Sequence, residues 1–296
     1  MSQPTNQLRI SARNAGQAEL EKFCPHCGWY LLRIKKMPFQ FGMPGLMFYA
    51  EAMEKAFIFA YLSKFGSVPK YFGPFADCTE PVEFPFSMVQ EHKETGVLVS
   101  ARADMILRKK TGNLCLLDLK TAKPEGGGKM FKPQYEIQLI GYSWVAQEAG
   151  LGKVETTGLV YCEVQDDRFK ADPLKYKTDT GILVPFDFKM CEVGLDFKRL
   201  TKCLKEMNKL WMADRPPAGK DGCKDCALLT RLCDFEQQLR ITDAQAYASF
   251  PGQSQWAIQQ DYFRRNTRTS PESLQDLLVA DPWDQEGGMW SNWEFA

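Results

Sequence analysis

Histidine is nearly missing from this chain: His26 and His92 are the only two among 296 residues, which excludes imidazole-rich metal sites. Charge of one sign is not in excess either, since 37 Lys and Arg balance 37 Asp and Glu. Composition alone therefore points to no polyanionic or polycationic partner. Long apolar runs are absent as well. The stretch Phe39 to Leu62 is interrupted by Pro44, Glu51, Glu54 and Lys55, short of the roughly 20 apolar residues that a bilayer helix needs. No membrane role is expected. Met1 to Ile10 lacks the charged and apolar regions of a signal peptide, and no internal repeat is visible. Cysteine is the residue in surplus, with ten in the chain. That density is too low for a small disulfide scaffold, so a reducing cytoplasm is the expected compartment.

The balance of charge hides an asymmetry. Residues 242–296 hold eight acids and three bases, leaving a mild basic excess in the first 241. Four segments are expected: an N-terminal helical part (1–75), a core (76–215), a Cys-rich knuckle (216–240), and an acidic tail with several tryptophans (241–296). Helical patterns run from Ala12 to Leu32 and from Leu46 to Leu62. Strands are expected at Val82 to Val89, Val97 to Leu107 and Leu114 to Lys120, then at Gly158 to Glu163 and Ile182 to Phe188. A helix is read from Pro133 to Gly150, with Tyr135, Leu139, Tyr142, Ala146 and Ala149 on one face, and another from Phe197 to Trp211. Strands flanked by helices at both ends make this an α/β fold around a central mixed sheet.

The hairpin carries the chemistry. If it turns about Thr111, Asp104 and Asp118 are each seven residues from the centre and oppose one another across two strands. Opposed positions hold their Cβ atoms roughly 4.5–5.5 Å apart. Two carboxylates so close repel unless a cation sits between them or one is protonated. A hard divalent ion such as Mg²⁺ resolves the conflict. Lys120, two residues beyond Asp118, shares its strand face and can orient a water or hold a phosphate. Asp118 interrupts Leu114-Cys115-Leu116-Leu117 and precedes Leu119, so its strand reads as apolar on both faces and central.

Ala103-Asp104-Met105-Ile106, then Leu116-Leu117-Asp118-Leu119-Lys120-Thr121, then Gln138-Leu139-Ile140-Gly141-Tyr142 together resemble the RecB-like branch of the PD-(D/E)XK nuclease superfamily. The resemblance implies a restriction-endonuclease-like core. It implies that Asp104, Asp118 and the backbone carbonyl of Leu119 bind Mg²⁺ or Mn²⁺, and that Lys120 activates the nucleophile. Gln138 and Tyr142, four apart on one helical face, would contact the nucleic-acid strand or support the site. One departure stands out. Strongly active members carry a histidine in the N-terminal helix, and Gly42 to Glu51 has none. Glu51 or Glu83 is expected to complete the metal shell in its place.

Cys223-Lys224-Asp225-Cys226 followed by Cys233 forms a knuckle, and Cys24-Pro25-His26-Cys27 lies far upstream. Thiolates brought together suit zinc or an iron–sulfur cluster. The layout resembles the iron–sulfur branch of the same superfamily, which includes the AddB nuclease domain and the CRISPR-associated adaptation exonucleases. That resemblance implies a 4Fe–4S cluster on Cys24, Cys223, Cys226 and Cys233, stapling the two ends of the fold. The alternative is Zn²⁺ on the paired motif Cys24, Cys27, Cys223 and Cys226. Cys78, Cys115, Cys162, Cys191 and Cys203 read as core residues.

Arg108, Lys109, Lys110, Lys120, Lys123, Lys129 and Lys132 make a basic stretch expected to grip phosphates, with Phe131 and Tyr135 available to stack bases. The acidic tail is expected to dock on a protein partner or to fold over the basic groove. The expected function is a metal-dependent deoxyribonuclease, an exonuclease acting from the ends of single-stranded DNA, in repair, recombination or CRISPR-like processing. The alternative is a weakly active nuclease-fold DNA-binding adaptor.

Overall fold

The computed structural model describes residues 7–34, 45–85, 87–125, 127–231, 234 and 237–238. Cys233 and the expected acidic tail at 241–296 lie outside the described residues. The chain divides into two units, Met1–Cys226 and Ala227–Ala296, and the architecture below is that of the first.

Its elements in chain order are β1 (Arg9–Ser11), α1 (Ala12–Ala15), α2 (Pro25–Ile34), α3 (Gly45–Phe65), β2 (Cys78–Pro81), β3 (Met88–His92), β4 (Val97–Ala101), β5 (Met105–Lys109) and β6 (Leu114–Lys120). There follow α4 (Gly127–Glu148), β7 (Val154–Val164), α5 (Asp166–Ala171), β8 (Phe186–Val193) and α6 (Phe197–Met212). Five strands form a mixed sheet in the order β2-β5-β6-β7-β8, with β6 and β7 parallel and the other pairs antiparallel. A second sheet of three strands runs β1-β4-β3. The protein is thus a mixed α/β fold whose sheets are flanked by helices, as the sequence pattern implies.

Several expectations change. The helix read from Ala12 to Leu32 is two helices with a 3-10 turn and a break between them. Pro25 explains the break, because it pushes Cys24 out of the helical region and suits the first position of a new helix. The strand read from Val82 to Val89 is displaced to β2 and β3 on either side of Pro85, which cannot donate to a ladder. The strand read from Val97 to Leu107 splits at 102–104, and its halves join different sheets. Helix α4 begins before Pro133, which sits in its second turn, where the missing N–H costs one bond near the helix end.

The central sheet is covered on both faces. On one, Ile106, Leu114, Leu116 and Leu159 pack with Leu139, Tyr142 and Ala146 of α4, with the second sheet and α6 completing that core. On the other, Met105, Leu107, Cys115, Leu117, Leu119 and Val160 pack against Ile58 and Leu62 of α3 and against Phe72 and Phe75. Strand β6 is therefore buried on both sides, as its unbroken apolar run requires. Each such leucine, buried, contributes about 2–3 kcal/mol. Cys78, Cys115 and Cys203 are buried in these cores, Cys162 is buried outside them, and Cys191 is half-buried. Among the described residues no helix is long and apolar enough to cross a membrane.

Candidate active site and metal centre

The β5–β6 hairpin pairs Met105 with Leu117, Ile106 with Leu116, Leu107 with Cys115 and Arg108 with Leu114. This is the register of a turn centred on Thr111, with Gly112 at φ +86° in the loop. One step further out, the same register sets Asp104 opposite Asp118. The split between β4 and β5 leaves Asp104 just off the strand end, where its Oδ2 accepts from the Leu119 N–H at 2.9 Å.

Asp118 is 1% exposed. Its Oδ1 accepts from Gln138 Nε2 at 3.0 Å, and its Oδ2 lies against the Lys120 ammonium. Gln138 and Tyr142 both lie on the buried side of α4, and Gln138 Nε2 also contacts Tyr142 Oη at 2.9 Å. Lys120 Nζ sits 4.5 Å from the centre of the Tyr135 ring, a cation–π contact that fixes a flexible side chain. Asp104, Asp118, Leu119, Lys120, Gln138 and Tyr142 therefore converge on one place.

Helix α3 adds groups from the opposite side. Lys55 Nζ is 2.6 Å from Glu51 Oε1 and 3.8 Å from Asp104 Oδ1. Glu51 is thereby tied to the cluster. Glu83 is exposed beyond β2 and makes no ion pair among the described residues. Glu54 is a residue the sequence reading passed over as a mere break in an apolar run. It is 4% exposed, its Oε1 receives a long hydrogen bond from Thr121 at 3.4 Å, and Cys162 lies close by. Its Oε2 is buried without a conventional hydrogen-bond partner. Its helical offset of three from Glu51 was the available signal.

Electrostatics follow from this crowding. Burial, then the neighbouring Asp118 charge, pushes the Asp104 carboxyl up to about 6, against the opposing pull of Lys55, Lys120 and the Leu119 N–H. Burial likewise raises Glu54, and it raises Tyr142 together with the charge on Asp118. Oxygen donors from two carboxylates set this close suit a hard divalent cation.

The basic stretch is only partly at this site. Arg108, Lys109 and Lys110 belong to the hairpin tip, four to six residues at roughly 3.4 Å each from Asp104, or about 14–20 Å. Lys109 is buried and paired with Asp77 (3.3 Å) and Glu155 (2.6 Å), and Arg108 is paired with Glu80. Lys109 is thereby committed to the fold. Lys129 and Lys132 do line an open cleft of about 410 Å³, with Tyr161, Cys191, Pro124 and Glu125.

The second constellation is made of thiols. Cys24, Cys27, Cys223 and Cys226 come together with their sulfurs all within 4.8 Å of one another, a group able to hold a metal ion. The approach is built by α2, whose Trp29 Nε1 donates to the Ala213 carbonyl at 2.9 Å. Arg33 donates to Trp211 and Ala213 carbonyls and lies between the Trp29 and Trp211 rings. Burial opposes ionisation of Cys24, but the N–H groups of Lys220 and Cys27 and the thiols of Cys226 and Cys223 outweigh it, bringing it to about 6.

Fold and site together describe an α/β protein with a carboxylate–lysine cluster at the open end of a sheet hairpin and a separate four-cysteine group. No protein-family model matches the chain, and no curated protein does. Among solved structures it is similar to the protein SSO0001 (14% identity, 70% of this chain and 78% of that one, TM-score 0.42). It is also similar to the alkaline exonuclease of Laribacter hongkongensis (11% identity, 82% of this chain and 95% of that one, TM-score 0.38). A phage-related exonuclease from Haemophilus somnus 129PT is a third (12% identity, 70% and 93%, TM-score 0.33).

Proposed function

We propose that this chain is a divalent-metal-dependent nuclease that hydrolyses phosphodiester bonds of single-stranded DNA. The observation that carries the reading is the convergence of Asp104, Asp118 and Lys120 at one hairpin end, braced by Gln138 and Tyr142. Asp104, Asp118 and the Leu119 carbonyl would hold Mg²⁺ or Mn²⁺, with Glu51 or Glu54 from α3 available to complete the shell. A divalent ion bound there would lower the pKa of a water and offset charge developing on the phosphoryl oxygens. Gln138 keeps the Asp118 carboxylate in one orientation through its 3.0 Å bond. Lys120 positions the attacking water and the phosphate beside it. The burial of Asp118 keeps bulk water from solvating that carboxylate.

The test is cleavage of end-labelled single-stranded DNA with Mn²⁺ or Mg²⁺, against an EDTA control. A second reading, a DNA-binding adaptor with little turnover, is favoured by the lack of a histidine between Gly42 and Glu51. Such a protein binds DNA equally in EDTA and Mn²⁺ and releases no nucleotides.

The pH dependence has a definite sign. Because the metal-free Asp104 carboxyl is pushed up to about 6, metal binding must displace a proton below that pH. Mn²⁺ affinity should be level above pH 7 and fall by up to about tenfold per pH unit below 6. Calorimetric titration across that range checks it, and a flat profile counts against Asp104 as a ligand.

Preference for single strands is supported by α3. Tyr49, Met53, Phe57, Tyr61 and Phe65 stand four residues apart in a stripe, and Tyr49 (71%), Met53 (57%) and Phe57 (42%) are well exposed. Phe57 stacks on Phe188 of β8 at 5.8 Å, and Tyr71 also stacks on Phe188 at 6.4 Å. Aromatic rows of this kind hold unpaired bases at about 1–3 kcal/mol each. Phe57→Ala should weaken oligo-dT binding about fivefold or more by fluorescence anisotropy, with the protein still folded and its melting temperature lowered by only a few degrees. Unchanged affinity removes the stripe from the binding surface.

A further inference from the structure

Among the described residues, the four-cysteine group does not have the spacing of the cluster site that the sequence resemblance implies, and it includes Cys27. Cys24 and Cys226 sulfurs are 3.4 Å apart, Cys27 and Cys226 3.4 Å, and Cys27 and Cys223 3.7 Å. Four thiolates around one zinc ion at a Zn–S distance of about 2.3 Å form a tetrahedron with edges of about 3.8 Å. Those three separations lie just below that value, and all the sulfurs are within 4.8 Å of one another. A cluster instead places one thiolate on each of four irons, with a cube of iron and sulfide between them. Sulfurs at mutual van der Waals distance leave no room for it.

Membership points the same way. Cys27, which the cluster layout does not use, touches both Cys223 and Cys226. The set is two C-x2-C pairs, one entering α2 and one in the segment after the Pro216-Pro217 turn. The surrounding backbone serves sulfur. The Lys220 N–H donates to Cys24 Sγ at 3.2 Å, an interaction that favours thiolate. A Cβ on Gly219 would come within 2.9 Å of Cys226 Sγ, so the bare glycine lets the turn close over the site.

We propose that Cys24, Cys27, Cys223 and Cys226 bind a single zinc ion, that Cys233 is not a ligand, and that this centre replaces the iron–sulfur cluster. Each thiol gives up its proton as it binds, and no electron is transferred. The ion ties α2 to the chain beyond α6 across about 200 residues of sequence, a structural staple closed to substrate because all four positions are protein sulfur. It is independent of the carboxylate site.

The full chain, purified anaerobically without added metal, is tested by metal analysis and absorption. About one zinc per chain is expected, with no iron and no broad band near 400 nm. Cys27→Ser should weaken zinc binding about a hundredfold or more in competition with a chromophoric chelator, while Cys233→Ser leaves it unchanged. About four irons per chain, lost in Cys233→Ser and kept in Cys27→Ser, overturns the proposal. So does a protein that holds neither metal and titrates all its accessible thiols. Should Cys27→Ser fail to fold, exchange of the intact protein with Co²⁺ decides: the visible bands of tetrahedral four-sulfur cobalt are expected, and octahedral cobalt overturns it. Asp118→Asn should keep its full zinc content, so loss of nuclease activity and loss of this centre are read separately.

Discussion

Asp118→Asn is expected to lower DNA cleavage at least about a thousandfold, some 4 kcal/mol of transition-state stabilisation, without unfolding the protein. The substitution keeps shape and leaves the Gln138 contact available to the new side-chain carbonyl. It removes the one charge that is both 1% exposed and paired with Lys120. Lys120 is not stranded, because Asp104 and the Tyr135 ring remain beside it. A second readout separates loss of metal from loss of fold. Saturating Mn²⁺, at about a hundred times its dissociation constant, stabilises the parent by about 2.7 kcal/mol, a rise of roughly 5–10 °C in a protein of this size. Asp118→Asn should melt near the parent in EDTA and show no rise with Mn²⁺. Lys120→Ala provides the contrast. Cleavage should fall about a hundredfold or more while the Mn²⁺-dependent rise persists, since the lysine holds water and phosphate and not the metal. An Asp118→Asn protein that cleaves like the parent, or a Lys120→Ala protein that loses the metal response, would remove these residues from their assigned roles.

Much of this site was legible in the sequence because it lies on a hairpin. A two-residue period and one turn centre are enough to fix which side chains oppose each other, and the pairing about Thr111 puts Asp104 at Asp118. The run Leu114 to Lys120 matched β6 residue for residue, since a strand buried on both faces has no polar residue to spare except for function. What could not be read were features set by tertiary contact. Nothing local in Arg102-Ala103-Asp104 marks the crossing from one sheet to another, as no glycine or proline stands there. Glu54 looked like an interruption until α3 was laid over the sheet. Arg108 and Lys109 were assigned to phosphate binding because they are near Lys120 in sequence. The hairpin that brings its open ends together necessarily sends its tip the other way. Cys27 was undecided for a related reason, because a C-x2-C pair fits either centre until the partner sulfurs are located.

The close fit of the sheet behind this site gives the second large effect: Gly158→Ala should lower the melting temperature by about 5–10 °C. Gly158 lies in β7, opposite Leu117 of β6 on one side and Glu192 of β8 on the other. A Cβ built there would be 2.2 Å from Cζ of Phe75, with two further ring carbons at 2.7 and 3.0 Å. Phe75 is fully buried between the sheet and α3 and has nowhere to turn. Two terms oppose one another. Replacing a glycine whose φ is not positive gains about 0.5–1 kcal/mol by restricting the unfolded chain. Overpacking a rigid core costs about 1–3 kcal/mol and more when the obstacle cannot move, and it wins. At roughly 2–4 °C per kcal/mol, the net loss has the stated size. The contact predicts a coupling too. Phe75→Leu alone should destabilise by opening space, yet added to Gly158→Ala it should recover stability, so the double variant falls short of the sum by about 1 kcal/mol or more. Because Leu159 is the register partner of Asp118, the strain enters one residue from the carboxylate, and Mn²⁺ affinity should weaken in Gly158→Ala and return with Phe75→Leu. Strict additivity of the two substitutions in melting experiments would show that ring and glycine are not in contact.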